Sequence, residues 1–254
     1  MGVNTPKEIT DIWINNGVNK ANLKIGKMLV LGIMAGAFIG FGSFVFVLAT
    51  SGITDAYQAV IGKLIGASLF PVGLMMVILC GAELFTGNNL MTLALMDKKI
   101  TAAQMLKNWG VVYIGNLIGS VLVAALFAKS GLLIDAFAER AVAIATAKSN
   151  MPFDAAIIRG ILCNMLVVLA CWMQAGAKEL IGKIFAIWFP IMLFVFAGFE
   201  HSIANMTYIP MGIFLGAEVG WGAFIINNLL PVTIGNLIGG ALIVPGAYYY
   251  AYKK

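Results

Sequence analysis

Ile114-Gly115-Asn116-Leu117-Ile118-Gly119 recurs without change as Ile234-Gly235-Asn236-Leu237-Ile238-Gly239, 120 positions further along a chain of 254 residues. Two further matches precede it in the same order. Phe70-Pro71-Val72-x-Leu74 is answered by Phe189-Pro190-Ile191-x-Leu193, and Gly81-x-Glu83-x4-Asn88 by Gly198-x-Glu200-x4-Asn205. A weaker pair joins Gly32-Ile33-Met34 to Gly160-Ile161-Leu162. Any one of these could arise by chance in an apolar chain. Three in order, at offsets of 117 to 120, read as an internal duplication.

The duplicated material suits lipid. Hydrophobic residues make up 61% of the chain and charged residues 11%, with a mean hydropathy of +0.95. A water-soluble domain of this size needs far more charge to cover its exterior. The formal charge of +5 comes from lysines in short loops beside apolar runs, which is a membrane-orientation pattern and not a nucleic-acid footprint. Cys80, Cys163 and Cys171 lie inside apolar runs without ligand spacing and read as packing thiols. No metal or cofactor is expected.

Residues 1–27 are polar and mixed in charge, with no apolar core of a signal peptide. Within them, residues 7–24 carry Ile9, Ile12, Trp13, Val18 and Leu23 among polar neighbours, an amphipathic helix suited to the membrane surface. Six spans follow, over about 28–49, 59–96, 105–128, 155–175, 184–215 and 221–250. The second and fifth are too long for one crossing and carry polar interruptions. The chain is thus read as a single all-α transmembrane domain over 1–254, with a first repeat at 28–128 and a second at 154–251. A unit of three spans is odd, so the second copy enters the membrane upside down, and a solute path is expected where the two units meet. With the N-terminus inside, eleven lysines fall on the cytoplasmic side. Lys63, Lys129, Arg140 and Lys148 fall on the outer one. Both termini are therefore expected in the cytoplasm, and the protein in the cell (inner) membrane.

Irregular backbone at membrane depth survives only where protein or water shields it, so the paired interruptions mark the path. Glu83 and Glu200 are costly there unless paired. Each is expected to accept backbone N–H groups of its own loop, with Asn88 and Asn205 structuring the same loops. His201, the only histidine, sits in the second interruption and can donate to an anion or, when charged, neutralise one. Asn164, at mid-depth in the fourth span, is either a helix–helix hydrogen-bonding residue or a donor to the path.

Ala82-Glu83-Leu84-Phe85-Thr86-Gly87-Asn88, the segment Gly198-Phe199-Glu200-His201-Ser202-Ile203-Ala204-Asn205-Met206, and Pro231-Val232-Thr233-Ile234-Gly235-Asn236 resemble the signature segments of the formate/nitrite transporter family. The resemblance spans essentially the whole chain and is nearest to the hydrosulfide channel branch. It implies an aquaporin-like protomer in a homopentamer, each protomer with its own pore for small monovalent anions of weak acids. It also implies an outer constriction at Leu74 and Phe194, and an inner one at Phe70, Leu84, Phe85 and Val167. Thr86, Asn164 and His201 become the polar contacts between them, with Lys20 and Lys148 near the two mouths.

Other classes fit less well. A neutral-solute channel of the aquaporin type would carry paired Asn-Pro-Ala motifs, whereas Asn88 and Asn205 precede Asn89 and Met206. One histidine, scattered cysteines and two separated glutamates do not assemble an enzyme site. A proton-coupled secondary transporter of formate or nitrite is the alternative, since one titratable group can serve coupling.

Overall fold

A computed structural model describes residues 2–253. Helix α1 (Pro6–Ala21) opens with a capping box from Thr5 and Glu8 and is followed by α2 (Ile25–Ala49). The second span is α3 (Ala56–Leu69) and α4 (Val72–Leu79), broken at Phe70-Pro71. After a loop, the chain continues as α5 (Phe85–Asn88), a 3-10 turn (Asn89–Met91) and α6 (Thr92–Met96). Helix α7 (Ala102–Lys129) completes the first half. The second half runs through α8 (Asp135–Ser149), α9 (Phe153–Gly176), α10 (Leu180–Ala197) and α11 (Ser202–Phe214). Its last span joins α12 (Trp221–Ala223), α13 (Leu230–Leu237) and α14 (Val244–Lys253) through two π-helical turns. Six helices or joined helices are long and apolar enough to cross a membrane. They form two inverted three-helix units, and Lys253 on α14 pairs with Asp11 on α1 at 2.7 Å, so both ends lie on one side.

The repeated hexapeptide now has a physical meaning. Between apolar helices in lipid there is little hydrophobic drive, so association rests on close packing and hydrogen bonds. Gly115 and Gly119 of α7 lie against the backbone of α2 at Gly32 and Ile33, and Gly235 and Gly239 lie in the same way against Gly160 and Ile161 of α9. A Cβ at Gly32 would lie 3.1 Å from the Val112 carbonyl, and one at Gly160 2.8 Å from that of Val232. The outward isoleucines, Ile114, Ile118 and Ile234, are exposed on the surface of the protomer.

The structure extends each unit beyond the sequence bounds of 28–128 and 154–251. Helix α8, in the stretch between the third and fourth spans, is the equivalent of α1. Gly17 of α1 faces Ala94 of α6, where a Cβ would lie 2.7 Å from the alanine methyl; Ala145 of α8 faces Gly212 of α11. Helix α1 itself is docked on the protein, burying Ile9, Trp13 and Ile14. The two units also differ. Helix α10 is continuous through Pro190, whereas the second span breaks at Pro71.

Gly36 packs against the Asn116 backbone with no space for a Cβ, while Gly26 on the same helix has open space around it. We expect Gly36→Ala to cost about 1–3 kcal/mol through overpacking and Gly26→Ala to be neutral or slightly stabilising. Thermal unfolding in detergent reads both, and equal melting temperatures would refute this packing account.

Candidate functional site

Two loops meet at the centre of the protein, and the same bonds hold each. Gly81 and Gly198 adopt left-handed φ of 80° and 81°, a conformation glycine enters without steric cost, and turn the chain out of α4 and α10. The Glu83 N–H then donates to Leu31 O, and the Glu200 N–H to Arg159 O, each at 3.2 Å. The asparagine of each hexapeptide latches its loop. Asn116 Nδ2 donates to Gly32 O and Glu83 O, while its Oδ1 accepts from Phe85 N. Asn236 Nδ2 donates to Gly160 O and Glu200 O, while its Oδ1 accepts from Ser202 N. Neither latch is legible in the sequence, although both asparagines sit inside the repeated hexapeptide.

The carboxylates find side-chain partners, not the loop N–H groups expected. Lys20 Nζ donates to Glu83 at 2.6 Å and Asn88 Nδ2 at 2.7 Å. Lys148 Nζ donates to both oxygens of Glu200, at 2.8 and 2.9 Å, and Asn205 Nδ2 at 2.7 Å. Asn108 and Asn228 close the two sets by accepting from Asn88 and Asn205 and donating to the Lys20 and Lys148 carbonyls. Each lysine comes from the preceding short helix, α1 or α8, which explains why those helices belong to the units.

Two vestibules approach this centre. The one beside α8 has a volume of about 460 Å³ and reaches Phe70, Phe194 and His201. The one beside α1, about 240 Å³, reaches Leu74 and Leu84. Between them lies a void of about 10 Å³ whose wall includes Ile39, Phe70, Leu74, Leu84, Val167 and Ile191, closed by Phe194 and His201. That is about the space one water molecule needs, so no hydrated ion fits between the vestibules in this conformation.

Of the residues expected at the two constrictions, Phe70, Leu74, Leu84, Val167 and Phe194 line this void. Phe70 belongs with Phe194, its ring centroid 5.7 Å away in an edge-to-face contact, because the break at Pro71 turns it toward α10. Leu74, one turn further, faces the α1 side with Leu84. Phe85 lies away from the void, its ring against Tyr113 at 4.8 Å and Trp109 at 6.2 Å. Val167 lines the void, as do Ile39 and Ile191, which the sequence did not single out. Asn164 braces the helices through its Nδ2, while its Oδ1 is buried without a partner among the described residues. It stands where the first half has Gly36, and its Nδ2 donates to Asn236 O and Asn89 Oδ1, each at 2.7 Å. Gly240, in the π-helical turn alongside, leaves room for that amide.

His201 and Thr86 join the two loops, with Nε2 and Oγ1 2.8 Å apart. The imidazole tautomer follows from its other nitrogen. Nδ1 accepts from the Ala204 N–H at 3.2 Å, capping α11, so in the neutral ring the proton sits on Nε2 and is donated to Thr86 Oγ1. The threonine hydroxyl proton has no acceptor among the described residues and is available to a solute. On the α8-side wall, Arg140 is half-buried, and burial draws its pKa below the ordinary guanidinium value. Among the described residues no group of three or more His, Cys, Asp or Glu could hold a metal.

Inverted three-span units, latched loops and a pinch between two vestibules define a membrane transport protein. The chain belongs to the formate/nitrite transporter family, whose model matches residues 7–250. It is 39% identical to a formate channel of Bacillus thuringiensis, over 100% of this chain and 98% of the relative. Among solved structures it resembles an ion channel of the same family (31% identity, TM-score 0.87, 96% of this chain and 98% of that one). It also resembles a pentameric formate channel with formate bound (33% identity, TM-score 0.80, 91% and 98% covered).

Removing Lys148 leaves the Glu200 carboxylate buried and short of a cation. We expect Lys148→Met to cost about 2 kcal/mol, below the range for fully buried pairs because the lysine keeps some solvent contact. Lys148→Met/Glu200→Gln should recover most of it. Denaturant unfolding of the single and double variants checks this, and a double variant no more stable than Lys148→Met would count against the charge account.

Proposed function

We propose that this chain is a channel for small monovalent anions of weak acids (formate, nitrite and hydrosulfide), with one pathway in each protomer of a homopentamer in the cell membrane. The observation that carries the reading is the His201–Thr86 pair at the pinch between two vestibules. Family membership supports the substrate class, and the pentameric formate channel supports the assembly. Both termini lie on the cytoplasmic side, in line with the lysine distribution.

In this reading, Lys20 and Lys148 hold the loop carboxylates at the two mouths and offset their charge. Phe70 with Phe194, and Leu74 with Leu84, form two apolar gates with Val167 between them. A solute in that dry space loses its hydration, which penalises charge and pushes a weak-acid anion toward its protonated form, the proton being taken from water in one vestibule and returned to water in the other. Formic acid, nitrous acid and hydrogen sulfide are small enough to use that escape. The Thr86 hydroxyl donates to the solute while the His201 Nε2–H holds Thr86 in place. Taking up a second proton at Nδ1 would cost His201 its cap on Ala204, so the ring supplies a neutral donor at the pinch.

Flux of formate, nitrite, hydrosulfide and chloride in proteoliposomes, measured side by side, tests the substrate class; chloride equal to formate would overturn it. Formate accumulation driven by a pH gradient against its own gradient would instead favour a proton-coupled transporter. His201→Leu, which removes the donor that holds Thr86, should lower formate flux several-fold at every pH from acid to neutral, and flux equal to the parent's would remove His201 from the mechanism. Leu84→Val should widen the α1-side gate and raise acetate flux several-fold over formate flux; an unchanged ratio would place the gate elsewhere.

A further inference from the structure

The two vestibules are related by the repeat but not in charge. On the α1 side the only cation in the lining among the described residues is Lys20, and Glu83 neutralises it. On the α8 side the lining carries Lys63, Arg140, Lys148 and Arg159 against the single acid Glu200, which is bonded to Lys148. Three cations thus remain without an ion pair among the described residues. Of the three, Lys63 lies over the Phe196 ring, and Arg140 alone makes a side-chain hydrogen bond among the described residues. Its Nε donates to Thr50 Oγ1 at 2.9 Å, and that hydroxyl spends its own proton on Phe46 O at 2.8 Å. The terminal nitrogens of the guanidinium have no protein partner among the described residues. Glu139 shares the wall of an adjoining cavity with Arg140 but forms no ion pair with it.

A guanidinium held by Nε alone presents its two terminal nitrogens as a planar fork, which matches two oxygens of one anion and not a single-atom anion. We propose that Arg140 is a specificity-determining residue: its fork captures two-oxygen anions such as formate and nitrite in the α8-side vestibule before they reach the pinch. Lys63 and Arg159 add attraction without a pinned fork that matches two oxygens. Hydrosulfide, with one heavy atom, gains the charge but not the second bond. This rests on the proposed channel reading and assigns that pathway an entry site on one side only. A passive channel gains no net direction from such a site; what changes is the concentration at which each side saturates.

The test is isotope-labelled formate and hydrosulfide flux through channels inserted in one direction, with solute added on either side and insertion scored by access to a C-terminal tag. Arg140→Lys keeps the charge and loses the fork. We expect it to raise half-saturating formate about tenfold, the low end for a charge-assisted hydrogen bond, when formate enters from the α8 side. Half-saturation from the α1 side and for hydrosulfide should stay unchanged. Thr50→Val, which frees the fork from its pin, should shift formate in the same direction by less. Formate saturation in Arg140→Lys equal to that of the parent would overturn the proposal, as would equal shifts from both sides or for both solutes. A parent that carries no formate at all would overturn the channel reading instead, so the two failures are separate.

Discussion

A peptide group in hydrocarbon has no water to fall back on, and each unpaired N–H or C=O costs several kcal/mol. A path through this protein therefore needs unwound backbone at mid-depth, and that backbone needs partners supplied by side chains. Asn116 and Asn236 meet the need with one planar amide apiece. Each gives two hydrogens to carbonyls and takes one from an N–H, tying a loop to the helix pair beside it. The flanking glycines of the hexapeptide set the helix separation at which the amide reaches both partners. Packing, loop shape and the position of His201 all descend from that spacing.

Against this shared scaffold, the chemistry lies in the departures from symmetry. His201 takes the place that Leu84 holds in the first loop, and Ile203 the place of Thr86. One loop thus brings the imidazole and the other the hydroxyl, and they meet across the centre. A faithful duplicate would have placed two imidazoles or two leucines there. Gly36 and Asn164 are a departure of another kind, in which a close helix crossing is exchanged for a polar crossbrace with Gly240 making room.

Spans, repeat and loop positions are legible in the sequence because lipid exposure and glycine spacing act over a few neighbouring residues. What the sequence hid depends on direction. Phe70 and Leu74 lie one turn apart, and only the break at Pro71 decides which vestibule each faces. Phe85 follows Leu84 directly and therefore points the other way, into Tyr113. Helix α8 escaped because its apolar face is built from small residues. Ala141, Ile144, Ala145 and Ser149 are buried at spacings of three and four, a helical rhythm that carries little hydropathy. The Lys148–Glu200 pair joins residues 52 positions apart, beyond the reach of local pattern.

The contacts at the two short helices show how such a protein can change. In the first unit the glycine is on the short helix (Gly17) and the methyl on its partner (Ala94); in the second the methyl is on the short helix (Ala145) and the glycine on its partner (Gly212). Each seam holds one methyl and no more. Grafting α8 in place of α1 would set two methyls face to face, and the reverse graft would leave a hollow. Recombination between the halves can therefore succeed only when both sides of a seam travel together, so the inherited module is the docked pair and not the helix.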